Sequence, residues 1–132
     1  MSAKELRFPN VNSTILSGRL TRDPELKHLQ NGTAVMNIDL AFNRNFKKND
    51  EWEKVTSYIQ VVVWAEKAES AAKYLSKGSP VLVEGSLEME TYQNKDNQTI
   101  YKMKLVAFKI NNLERESRDS DYFENIDKED QL

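Results

Sequence analysis

At 132 residues, with 39% hydrophobic content, the chain has material for one small core and a single domain. It has no cysteine and one histidine, His28, which excludes disulfides and thiolate catalysis and leaves no basis for a histidine-rich metal site. The net charge of −2 is unevenly spread: residues 1–113 hold 16 Lys+Arg against 13 Asp+Glu (+3), and residues 114–132 hold 3 against 8 (−5).

The opening stretch, MSAKELRFPN, lacks the apolar run of a secretory signal, and no segment approaches the roughly 20 apolar residues that span a bilayer. With no cysteine, this points to a cytoplasmic setting away from membranes. STILSGRL (13–20) predicts a first strand of imperfect alternation, in which Gly18 marks a bulge or a close approach of backbone. DPELKHLQNGT then reads as a loop, opened by Pro24 and turned at Asn31-Gly32. AVMNIDLAFN (34–43) alternates cleanly, with Ala34, Met36, Ile38, Leu40 and Phe42 inward. The polar run RNFKKNDEWEK (44–54) predicts a long hairpin loop leading to SYIQVVVWAE (57–66). There Ile59, Val61 and Val63 make a core face, while Tyr58, Gln60, Val62 and Trp64 lie on the other.

After Trp64 the period changes. AEKAESAAKYLSKG spaces Ala68, Ala71, Ala72 and Leu75 as in a helix, with Gly78 at the expected C-cap and Pro80 preventing continuation. PVLVEGSLEMET resumes alternation, with Val81, Val83, Gly85, Leu87 and Met89 on one side. The turn YQNKDNQT leads to IYKMKLVAFKI, where Tyr101, Met103, Leu105 and Ala107 share a face. Three strands, a helix and two strands is the order of an oligonucleotide-binding (OB) fold: all-β with one helix, a five-stranded Greek-key barrel with the helix between strands 3 and 4. A β-sandwich more often shows seven or more strands and no interposed helix, so it ranks second.

No catalytic constellation emerges. His28 lies in a polar loop, the carboxylates are scattered among lysines, and the four glycines do not cluster into a phosphate-cradling loop. The chain reads as a binding module, not an enzyme, with neither cofactor nor metal expected. Five aromatics fall outside the core faces: Phe46, Trp52, Tyr58, Trp64 and Tyr92. Four of the rings have a plainer reading: Tyr58 and Trp64 under the helix or at a subunit interface, Trp52 as a hairpin plug, Tyr92 as an ordinary cross-strand ring. Phe46, among Arg44, Lys47 and Lys48, is harder to explain as core, because its neighbours are all polar. Unpaired nucleobases stack on aromatic rings, and the phosphates between them need nearby Lys and Arg. Basic loops interleaved with aromatics meet both demands.

The stretches LSGRLTRDPEL (16–26), NGTAVMNIDLA (31–41), FKKNDEWEK (46–54), 61–92 and QTIYKMKLVA (98–107) are similar, in order and spacing, to the bacterial single-stranded DNA-binding protein family. The resemblance covers about residues 10–112. It implies an OB fold, sequence-independent binding and protection of single-stranded DNA in replication, repair and recombination, and a homotetramer in a cytoplasmic, nucleoid-associated setting. Residues 1–112 are expected to form the DNA-binding domain, and 113–132, acidic and poor in aliphatics, a flexible tail. The family's four base-stacking positions correspond to Phe46, Tyr58, Trp64 and Tyr92; Trp52 is added here from its own setting. Its basic positions correspond to Arg19, Lys27, Lys47 and Lys77, with Arg22, Arg44, Lys48 and Lys54 added from their neighbourhood.

Two departures stand out. Family members often carry Arg where this chain has Glu88 and Glu90. If the last hairpin pairs about Asp96, Glu88 faces Lys104 and Glu90 faces Lys102, a charge swap that leaves the local field near neutral. The family's Gly/Pro/Gln-rich linker and terminal Pro-Phe, which recruit repair and replication enzymes, are also missing, although DYFENID sets aromatics among acids. Other readings of the same fold are a protein-interaction adaptor of a replication or primosome assembly and an oligosaccharide-binding domain. Steep salt dependence separates DNA from sugar.

Overall fold

A computed structural model describes residues 7–114. In chain order its elements are β1 (Thr14–Leu20), β2 (Glu25–His28), β3 (Ala34–Lys48), β4 (Glu51–Trp64), α1 (Ala65–Ala72), β5 (Pro80–Gln93) and β6 (Thr99–Asn112). The alternating residues define the core. Met36, Ile38 and Leu40 of β3, Val61 and Val63 of β4, Val81 and Val83 of β5 and Leu105 of β6 are all completely buried. Each such side chain contributes on the order of 1.5–3 kcal/mol through burial. Ala68 and Ala71 of α1, with Leu75 beyond it, join the same cluster.

The sheet order is β1-β5-β6-β4-β3-β2, and β1 also pairs with β3. That second pairing closes five strands into the expected barrel and leaves β2 on the outer edge of β3. Closure brings backbones very close, and Gly18 answers the expectation of a close approach. A Cβ there would lie 2.3 Å from the Ala41 carbonyl oxygen. Gly85, where the β5–β6 register shifts in a bulge, is as crowded, its added Cβ falling 2.1 Å from the Val106 carbonyl oxygen.

Four expectations are corrected. The loop after β1 contains a strand, β2, whose residues are all exposed. No apolar face announced it, and its pairing with β3 follows from the Asn31-Gly32 turn, where the Thr33 amide donates to Asn31 Oδ1 (3.0 Å) and Gly32 takes φ 87°. The long loop over 44–54 is instead a continuous two-stranded arm. β3 and β4 stay paired out to Lys48↔Glu51, joined only by Asn49 and Asp50, with φ of 51° and 63°. Positive φ at both central residues is the requirement of the tight hairpin turn that matches strand twist, and Asn and Asp tolerate it. The helix ends at Ala72 with Lys73 as its C-cap, so Gly78 (φ 89°) belongs to the following turn. Finally, Leu87, Met89, Tyr101 and Met103 keep their shared face but leave the core, because the β5–β6 hairpin runs past the barrel end and exposes them.

Candidate nucleic-acid interface

Strand register places the outward side chains in rows. Trp52, Lys54, Tyr58, Gln60, Val62 and Trp64 share one face of β4, because their β3 partners Lys47, Asn45, Ala41, Asp39, Asn37 and Val35 alternate in step. Trp52, Tyr58 and Trp64 are 73%, 71% and 43% exposed, rings set at intervals of six residues, or about 20 Å, along a single strand. Lys47 stands directly beside Trp52 on this face. Arg19 continues the Tyr58 row through Ala41, and Lys27 continues the Trp64 row through Val35.

The strip between Tyr58 and Trp64 carries no charge of its own, and its polar atoms are tied down. Gln60 Nε2 donates to Asn37 Oδ1 at 3.2 Å, and Val62 is buried. Charge lies on either side. Asp39, beside Gln60, is held by Arg22 Nε at 2.5 Å. Lys104, beside Gln60 on the β6 side, faces Glu88 across the hairpin, and Lys102 faces Glu90. The expected pairing about Asp96 is therefore present, although neither pair is among the ion contacts of the described residues. A shallow groove of ≈ 420 Å³ runs past Tyr58 and Gln60 to Lys102 and Met103. Tyr92 lies on this same outer face, opposite Ile100 and near the tip of the hairpin.

Phe46 is not brought onto this strip. It shares the opposite face of the arm with Arg44 and Lys48, opposite Glu53, and the Arg44 guanidinium sits 5.3 Å from its ring centroid. Trp52 and Phe46 therefore lie on opposite faces of the arm. The cations divide as well. Arg22 is paired with Asp39, Lys27 with Glu25 at 3.0 Å, and Arg19 donates to the Gly78 carbonyl at 2.9 Å. Lys77 sits beside that same glycine, its amide donating to Asp23 Oδ1 at 2.8 Å. Lys47, Lys48, Lys54 and Arg44 have no ion partner among the described residues.

Two residues of this surface were missed in the sequence. Lys104 enters through the parallel β4–β6 pairing, which no local pattern foretells. Phe108 falls on the side opposite Leu105 and Ala107, and that alternation was the available signal. Among the described residues no group of His, Asp and Glu is placed to hold a metal ion, and no helix is long and apolar enough to cross a membrane.

The profile of the Single-strand binding protein family matches residues 11–113, the whole barrel and both arms. The chain belongs to that family. Relatives agree: a Borreliella burgdorferi protein named single-stranded DNA-binding protein is 44% identical over 105 residues, covering 80% of this chain and 69% of its own. A Clostridium acetobutylicum protein named single-stranded DNA-binding protein 2 is also 44% identical, over 118 residues, covering 89% and 86%. Among solved structures, a deletion mutant of the Thermus aquaticus single-stranded DNA-binding protein superposes with a TM-score of 0.71 at 27% identity. That match takes in 79% of this chain and about half (51%) of the other. A Plasmodium falciparum structure described as an SSB complex with ssDNA superposes at 0.75, covering 83% of this chain and all of the other; at 24% identity it speaks for the fold alone.

Proposed function

We propose that this member of the family binds single-stranded DNA without sequence preference, protecting it during replication, repair and recombination. The observation that carries the proposal is the row of Trp52, Tyr58 and Trp64 on one outward face of β4, with Lys54 between the first two rings and the uncharged Gln60 and Val62 between the last two. Bases stack on these rings and, with a turn around the arm, on Phe46; Tyr92 extends the face to the second hairpin. Each stacked base contributes roughly 1–3 kcal/mol. Lys47, Lys48, Lys54 and Arg44, with no ion partner among the described residues, meet phosphates directly, while Arg22 and Lys27 exchange a carboxylate for a phosphate, and Arg19 and Lys77 flank the Tyr58 end. The work is binding, and the reading needs no catalytic group. The test is titration of tryptophan fluorescence with oligo-dT at several salt concentrations. Quenching, with affinity falling steeply as salt rises, supports the proposal; an unquenched or salt-insensitive signal rejects it.

The assembly we propose is a homotetramer, supported by apolar side chains left outward on two elements. Ile15 on β1 is 62% exposed, and Leu87, Met89, Tyr101 and Met103 line one side of the β5–β6 hairpin. The same apolar hairpin is the one observation that favours a protein-interaction adaptor instead. Sedimentation without and with oligo-dT separates the two: a stable four-copy particle that binds DNA supports the tetramer, and a monomer without DNA binding supports the adaptor. Recruitment of replication or repair enzymes by the acidic tail rests on residues 113–132, all but the first two outside the described residues.

A further inference from the structure

We propose that Phe108 is an additional stacking platform for an unpaired nucleobase, carrying the DNA strand past Trp64 and across the flank of α1. The proposal rests on the single-stranded DNA reading and extends its path. Phe108 sits in the β5–β6 irregularity: the register passes from Gly85↔Ala107 to Glu84↔Lys109, so Phe108 has no residue opposite it. Its ring is 52% exposed, and the Lys67 ammonium donates to its carbonyl oxygen, tying the bulged backbone to the helix. An aromatic ring presented outward on a braced backbone suits a flat partner better than it suits a core.

Its surroundings continue the β4 strip. Trp64 and Phe108 line one groove of ≈ 440 Å³ that also includes Glu66, Lys67 and Ala107. A second groove of ≈ 260 Å³ is lined by Phe108 together with Tyr74, Lys109 and Ile110. Phe108, with Glu66 and Lys67, thus lines both grooves, one of which also holds the Trp64 ring and the other the Tyr74 ring. Charge favours a base over a bare anion. Lys67 is engaged with a carbonyl, Lys109 lies 3.9 Å from Glu84, and Glu66 lines both grooves. The ring therefore supplies the attraction, which is the mode expected of base stacking and not of phosphate capture.

The test compares wild type, Phe108→Ala and Phe108→Leu in fluorescence titrations with oligo-dT of increasing length, with circular dichroism as the check on folding. Phe108→Ala is expected to weaken binding of long oligonucleotides about tenfold, to leave the shortest bound lengths unaffected and to leave the salt slope unchanged. Phe108→Leu, which keeps an apolar side chain without a π-face, is expected to show most of the same loss. Wild-type affinity at every length in both variants overturns the proposal while leaving the DNA reading intact. So does a loss seen in Phe108→Ala but fully restored in Phe108→Leu, which marks a packing role. Failure of the wild type itself to bind any oligo-dT removes the DNA reading and this inference together.

Discussion

Ala65 leaves β4 with φ 57°, a left-handed conformation that costs a residue with a Cβ about 1–2 kcal/mol. The strain stands directly after Trp64 and turns the chain into α1, so the bend that seats the helix also fixes where the β4 strip ends. Ala65→Gly is expected to relieve that strain, offset in part by the greater freedom of glycine in the unfolded chain, for a net gain of roughly 0.5–1 kcal/mol. A rise of a few degrees in thermal midpoint by circular dichroism checks it; a fall means that Ala65 makes packing contacts that matter more than its φ. At the rings, Tyr58→Ala and Trp64→Ala are each expected to weaken oligo-dT binding by about 1–3 kcal/mol, with Trp64→Phe retaining most of it. Equal affinity of the alanine variants and wild type would place the DNA path elsewhere. The outward placement of Tyr58 and Trp64 was legible from alternation alone, because one strand face was continuously apolar. The sidedness of Phe46 was not: both faces of the arm are polar, so the sequence carries no sign of which way its ring turns.

Elements were readable where burial imposes a period and unreadable where it does not. β3 through Phe42, β4 from Ser57, and the inner ends of β5 and β6 line the core and announce themselves by alternation. β2 and the outer half of the β3–β4 arm have no buried face, so backbone pairing and a two-residue turn, not side-chain pattern, make them strands. Gly18 was legible as a special position, and the structure supplies the reason in the Ala41 carbonyl. Gly18→Ala forces β1 away from β3 and is expected to destabilise the barrel by about 1–3 kcal/mol or prevent its folding, as measured by denaturant unfolding; wild-type stability would mean that the strands shift apart freely. On the second hairpin, Glu88→Arg with Glu90→Arg adds four positive charges' worth of change beside Tyr92. It sets like charges against Lys104 and Lys102, at roughly 0.2–1 kcal/mol per pair. The double variant is expected to bind oligo-dT more tightly at low salt and to melt earlier. Unchanged affinity and site size would show that DNA does not cross this face.

For the molecule as a whole, the −2 net charge conceals a +3 body joined to a −5 end. Opposite charges attract, so the acidic end is expected to compete with DNA for the body's lysines. Removing residues 114–132 is therefore expected to raise affinity for oligo-dT at low salt and to make no difference at high salt, where the attraction is screened. Fluorescence titrations of the two lengths of chain check this, and identical low-salt affinities would reject it. The barrel's closure was inferable only as a fold class, since the pairing of β1 with both β5 and β3 joins residues far apart in sequence.

That double pairing of β1 also dictates an order of events as the chain emerges during synthesis. β3 and β4 can zip together as a hairpin once residue 64 is out, but Thr14–Leu20 has only two registered partners on β3 until Pro80–Gly85 appears. The N-terminal strand must therefore wait for more than half of the chain, and β6 must then complete a parallel pairing with β4. Such distant contacts carry a large loop-closure entropy and place folding in the slow range of small β-barrels, on the order of milliseconds to seconds. During that wait the apolar side of β1 has nothing to cover it but solvent.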